Sequence, residues 1–133
     1  MDYKSLVLLI LIHITFDFLL QSRETATNKS IHFKHLANHL VTLAVGLILF
    51  TILSHRYTLS QAFIYVNLNL IAHGLIDWNI WRLYKYTIVK RYLDVDMSFK
   101  YWEDRMFYNF IALDQGLHAL CYLGLDYLVR SGL

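Results

Sequence analysis

HITFDFLLQ, residues 13–21, places His13, Asp17 and Gln21 at successive four-residue steps inside an otherwise apolar stretch. Residues four apart share one face of a helix, so the three polar groups form a single stripe. A central aspartate costs roughly 2.5–3.5 kcal/mol in a membrane helix even on the lenient insertion scale. Such a stripe therefore faces a protein interior, and it needs partners there.

The rest of the chain supplies matching stripes. NLIAHGLID sets Asn69, His73 and Asp77 four apart, LDQGLH carries Asp114, Gln115 and His118, and His39 lies in a further apolar stretch. His13-x3-Asp17 recurs sixty positions later as His73-x3-Asp77, which suggests two related helical hairpins.

The setting for these stripes is strongly apolar. Of 133 residues 57% are hydrophobic, the mean hydropathy is +0.41 and proline is absent, well beyond a typical soluble domain. Four apolar stretches, 3–21, 36–54, 60–83 and 106–129, each approach the ~20 residues that cross a bilayer. Backbone groups have no partners in lipid, so each is expected to be helical. No small-residue cleavage site follows the first stretch, so it is read as a membrane helix and not as a signal peptide. The expected fold is all-α: a polytopic membrane protein, one domain over 1–133, built as a four-transmembrane-helix bundle.

Charge sets the expected orientation. Arg23, Lys29 and Lys34 follow the first stretch, and Arg82, Lys85, Lys90, Arg91, Lys100 and Arg105 follow the third. Only Lys4, Arg56 and Arg130 lie on the other side. The positive-inside rule puts loops 1 and 3 in the cytoplasm and both termini outside. Between helices 3 and 4, YKYTIVKRYLDVDMSFKYWEDRMFY (84–108) mixes basic and aromatic residues. This interfacial segment is read first as an ordinary aromatic belt with positive-inside charge, and second as a helix contacting anionic headgroups or a lipid substrate. A net charge of +2 gives no reason to expect nucleic acid, and the single Cys121 excludes an internal disulfide.

The apolar stretches hold no Arg or Lys near their centres to balance Asp17, Asp77 and Asp114, although Lys29 could reach in from loop 1. The alternatives are protonation, water or a bound cation. Neutral imidazoles with carboxylates suit a divalent metal, zinc first and manganese second. His13, His39, His73 and His118 are the candidate ligands. Asp17, Asp77 and Asp114 are candidate catalytic groups, as ligands, orienting partners or general base. Gln21, Lys29 and Gln115 are candidate substrate-binding groups, and Lys29, Arg82 and Lys85 suit an anionic headgroup. His32, His35 and His55 are read as ordinary polar contacts, Cys121 and Tyr122 as packing residues, and Asp126 as solvated near the outer interface. Asn69 either orients a substrate or ties helices together.

Together HITFDFLLQ, Asn28-Lys29 ahead of His39, HGLIDW (73–78) and LDQGLH (113–118) resemble domain-of-unknown-function family 3307, small polytopic membrane proteins of bacteria and phage. The resemblance spans most of the chain. It carries over to His13, Asp17, Gln21, Lys29, His39, His73, Asp77, Asp114, Gln115 and His118. The family often has a lysine shortly after its HxxxD helix motif, where this chain has Ile80. The chain is also similar, more weakly, to inner-membrane proteins described as metal-dependent hydrolases.

Three functional readings stay open. The first is a membrane-embedded metal-dependent hydrolase acting on a lipid-linked or headgroup ester, amide or phosphoester. The second is a bundle that conducts protons or metal ions, which would need to form a homo-oligomer. The third is a non-enzymatic protein that binds a host or partner membrane complex. In all three the chain contacts membrane lipids.

Overall fold

The computed structural model describes residues 1–92 and 104–132, with side chains described through residue 88 and from 104. Every regular element among them is helical: α1 (Tyr3–Ile14), a π-helical turn (Thr15–Leu19), α2 (Arg23–Asn28), α3 (Phe33–Ser54), α4 (Leu59–Tyr92) and α5 (Arg105–Ser131).

The helix boundaries follow from capping chemistry. The Asp2 side chain accepts from Ser5 N and opens α1; hydrogen bonds from the Ser5 backbone and hydroxyl pull that carboxyl down to about 2. Ser22 and Asp104 cap α2 and α5 in the same way. His55, at φ 51°, ends α3 in the left-handed conformation.

The first apolar stretch departs from the continuous helix expected over 3–21. Leu20 N donates to Thr15 O at 2.9 Å, closing a turn one residue wider than an α-helical one. Thr15 Oγ1 bonds back to Leu11 O at 2.8 Å, a contact that bends helices. The chain then leaves the helical path at Gln21. The wider turn holds Asp17, which is buried. The segment expected to be loop 1 contains α2, and the third helix runs on to Tyr92, past its expected end at 83. The centre of the expected interfacial segment, 93–103, lies outside the described residues.

Among the described residues, two helices are long and apolar enough to cross a membrane: Phe33–Ser54, and Leu59–Ile88 within α4. Only 39% and 22% of the residues in their most apolar windows are buried, and Val41, Val45, Ile52, Phe63, Ile71 and Leu75 are exposed. The other two expected crossings do not stand out in this way, for separate reasons. The first is broken by the π turn. The apolar character of α5 is diluted by the polar stripe it buries: Asp114, His118, Tyr122 and Asp126, with Val129.

Buried positions fall on one face of each long helix. In α3 they are Leu36, His39, Leu43, Gly46, Leu47 and Phe50, with Thr51. An apolar core of Leu9, Ile12, Leu43, Leu47, Phe50, Tyr65, Val66, Tyr122 and Val129 fills one half of the bundle. A small polar cluster closes that end. Asp126, expected to be solvated, is 3% exposed there. Tyr57 donates to it at 2.7 Å, Arg56 reaches it at 3.4 Å, and the N-terminal amine lies 3.7 Å away. Burial pushes the Tyr57 hydroxyl well above its ordinary value, which keeps it a donor. Arg56 also pairs with Asp2. The start of α1, the α3–α4 turn and the end of α5 are thereby tied together.

Gly46 of α3 packs closely against Phe16 of the π turn. A Cβ there would lie 2.7 Å from Phe16 Cγ and 3.1 Å from Ile12 Cγ2. Gly46→Ala is expected to lose about 1–3 kcal/mol by overpacking. Gly124→Ala, where a Cβ meets nothing within 4 Å, should lose none. Thermal unfolding in detergent compares the two; equal stability would remove the close approach as a feature of the fold.

Candidate metal centre

The polar stripes of the helices meet at one place, beside the apolar core. Asp17, His39, His73, Asp77, Asp114 and His118 are each at most 3% exposed. α3 contributes His39, α4 His73 and Asp77, α5 Asp114 and His118, and the π turn Asp17.

Their donor atoms crowd together. His39 Nε2 lies 3.0 Å from Asp17 Oδ1, 3.1 Å from Asp77 Oδ2 and 3.0 Å from His73 Nε2. His73 Nε2 is 3.3 Å from Asp77 Oδ2 and 3.6 Å from Asp17 Oδ1. Ligands about 2.0–2.1 Å from one tetrahedral zinc stand about 3.3 Å apart, so this spacing matches a shared ion. On the other side of Asp77, His118 Nε2 is 3.8 Å from Asp77 Oδ1 and 3.6 Å from Asp114 Oδ1. Three overlapping triads could each hold a metal ion: Asp17–His73–His118, His39–His73–Asp77 and Asp77–Asp114–His118.

By hydrogen-bond geometry Asp17 Oδ1, both Asp77 oxygens, Asp114 Oδ1 and His118 Nε2 lack a partner among the described residues, although Lys29 Nζ lies 2.8 Å from Asp77 Oδ1 and His39 Nε2 3.0 Å from Asp17 Oδ1. Leaving buried acceptors unpaired is costly, and a cation is the partner that suits carboxylate and imidazole together. The donor set therefore fits a divalent metal.

Lys29, on the α2–α3 connection, does enter the centre. Its Nζ lies 2.8 Å from Asp77 Oδ1 and 3.8 Å from Asp17 Oδ1. Three ionised carboxylates against this one ammonium leave two negative charges. The connection is held down from α4. Lys85 Nζ donates to Thr27 O at 2.6 Å and to Ser30 Oγ at 2.8 Å, and Arg82 Nε donates to Ser30 O at 2.9 Å. The Arg82 guanidinium also lies over the Trp78 ring at 3.9 Å. Arg82 and Lys85, expected to await an anionic headgroup, thus position Lys29. Ser30, 1% exposed, is part of this latch.

Amides and a phenol orient the imidazoles. Gln115 Oε1 accepts from His13 Nε2 at 2.9 Å, which leaves His13 Nδ1 to accept from Tyr122 Oη at 3.1 Å. Both His13 nitrogens are thus engaged, and His13 belongs to none of the three triads. Gln115 Nε2 donates to Asp114 Oδ2 at 3.0 Å. Tyr122 Oη also lies 3.4 Å from His73 Nδ1, and Gln21 Nε2 lies 3.1 Å from His39 Nδ1. A partner on Nδ1 fixes the ring and leaves Nε2 to face the centre. Gln21 does so for a neutral His39 ligand with its oxygen turned inward, an amide flip. Tyr122, expected to be packing, is a polar partner of two histidines; its position four residues after His118 was the signal for it. Asn69 Nδ2 instead bonds its own helix at Tyr65 O, 2.8 Å away.

A cavity of about 330 Å³ opens beside the centre. Asp17, Asp114, Gln115 and Lys29 line it, with Phe18, Trp81, Phe107 and Ile111 among its apolar walls.

A family model described as "Protein of unknown function (DUF3307)" matches residues 5–128, and the chain belongs to that family. No curated protein and no solved structure matches the chain.

Proposed function

We propose that this member of the family is a membrane-embedded, metal-dependent hydrolase acting on a lipid-linked or headgroup ester, amide or phosphoester. The observation that carries the reading is a cluster of buried His and Asp donor atoms that reaches the wall of an apolar cavity through Asp17 and Asp114.

A bound zinc or manganese ion would supply Lewis acidity and water with a lowered pKa. His39, His73, Asp17 and Asp77 are the groups to hold it. Asp114 lies at the cavity wall, with one oxygen tied to Gln115 and the other without a hydrogen-bond partner among the described residues, which suits a further metal ligand or a general base. Lys29, with its ammonium at the same wall, suits the developing negative charge of a substrate. The aromatic and aliphatic walls accept the apolar part of an amphiphile and exclude bulk water.

The outward apolar faces of α3 and α4 support membrane insertion. We infer that α1 with its π turn and α5 also cross, giving four spans in an inner membrane. The basic α2 side then faces the cytoplasm and both termini lie outside.

Elemental analysis of the full chain purified in detergent tests the metal. About one or more zinc or manganese ions per chain, lost in His73→Ala, is the expected result. Vesicles of bacterial lipid extract, analysed by mass spectrometry after incubation with the chain, should show metal-dependent cleavage that chelation stops. A folded wild-type chain that binds neither ion would overturn this function.

A further inference from the structure

We propose that the centre holds two metal ions bridged by Asp77; this deepens the hydrolase reading above and rests on it. The argument turns on the His73 and His118 rings, which are stacked with centroids 3.7 Å apart and planes only 12° apart.

An imidazole binds a metal through a lone pair lying in its ring plane. Two nearly parallel planes separated by a full stacking distance do not intersect at bonding range. His73 and His118 therefore cannot both point at one ion about 2 Å from each nitrogen, which sets aside the triad in which they would share one. The His39 and His73 planes are inclined by 42°, with Nε2 atoms 3.0 Å apart, and these two can converge.

The carboxylates divide in the same way. Asp77 Oδ2 faces His39 and His73, at 3.1 and 3.3 Å. Asp77 Oδ1 faces His118, at 3.8 Å, with Asp114 Oδ1 3.6 Å from the same nitrogen. One position is thus bounded by His39, His73, Asp17 and Asp77, and the other by His118, Asp114 and Asp77. His118 Nε2, Asp114 Oδ1 and Asp77 Oδ2 are buried without a hydrogen-bond partner among the described residues. A stacking distance of 3.7 Å falls within the roughly 3.5–4 Å that separates the ions of two-metal hydrolytic sites. Lys29 Nζ, 2.8 Å from Asp77 Oδ1, competes with the second ion for that oxygen, so the two positions fill with unequal affinity.

The test is a titration of the full chain in detergent with manganese(II), read by bound-metal count and by electron paramagnetic resonance. Wild type is expected to bind two ions at saturation and to show a spin-coupled spectrum. Asp114→Asn and, separately, His118→Gln should each bind one ion and show the six-line signal of isolated manganese. One ion at saturation in wild type would overturn the pair while leaving the single-metal hydrolase standing. Two ions without spin coupling would also overturn it, since the second would then lie elsewhere. No bound manganese would overturn the pair, and no bound zinc in a parallel titration would overturn the hydrolase reading with it.

Discussion

Lys29→Met is expected to lose about 3–5 kcal/mol of stability and to make much of the remainder depend on divalent metal. The Lys29 ammonium faces Asp77 and Asp17 at 2.8 and 3.8 Å, and both carboxylates are buried. Methionine keeps the length and volume of the lysine stem and removes only the charge. Three carboxylates then lie around one centre with no cationic side chain among them. A divalent ion binding the folded state adds about 2.7 kcal/mol at a concentration a hundredfold above its dissociation constant. The variant should gain more than wild type, because nothing then competes for Asp77 Oδ1. Thermal unfolding in detergent, with and without zinc or manganese, reads both effects. A variant as stable as wild type, with no larger metal-induced gain, would show that Lys29 is no counterion here.

Asp77→Asn should weaken divalent-metal binding by at least about a hundredfold, beyond the 10–100-fold typical of groups that only orient ligands. Asp77 is 0% exposed and stands between the two groups of donors, within 3.3 Å of His39 and His73 and 3.8 Å of His118. Asparagine preserves the shape but removes the negative charge, and it turns one acceptor into a donor. Asp126→Asn is the matched control, since that carboxylate belongs to the Arg56–Tyr57 cluster at the apolar-core end. Calorimetric titration with zinc should show the loss in the first variant alone. Wild-type affinity in Asp77→Asn would remove Asp77 from the centre.

Much of the site could be read from periodicity. His73 and Asp77 repeat at helical spacing, so any α-helix through them aligns their side chains, whatever it packs against. The same holds for Asp114 and His118. An unpaired aspartate is costly on an otherwise apolar helix face, so packing these faces against one another is favoured. Spacing could not show that His13 spends both nitrogens on Gln115 and Tyr122. Nor could it show that Asp126 is enclosed by Arg56, Tyr57 and the N-terminus, because those partners come from three distant parts of the chain.

The pattern of residues along the chain was enough for the helical class and for which faces carry His and Asp, because both depend on local repeats of 3.6 residues. Other features exist only in the packed bundle. The placement of Asp17 against His39, the Arg82–Lys85 latch that sends Lys29 inward and the stacking of His73 on His118 each rest on contacts between separate segments. Local periodicity aims a side chain at a face. Whether that side chain becomes a ligand, an orienting partner or a counterion depends on what the neighbouring helices bring within about 3 Å, the range over which hydrogen bonds and ion pairs form.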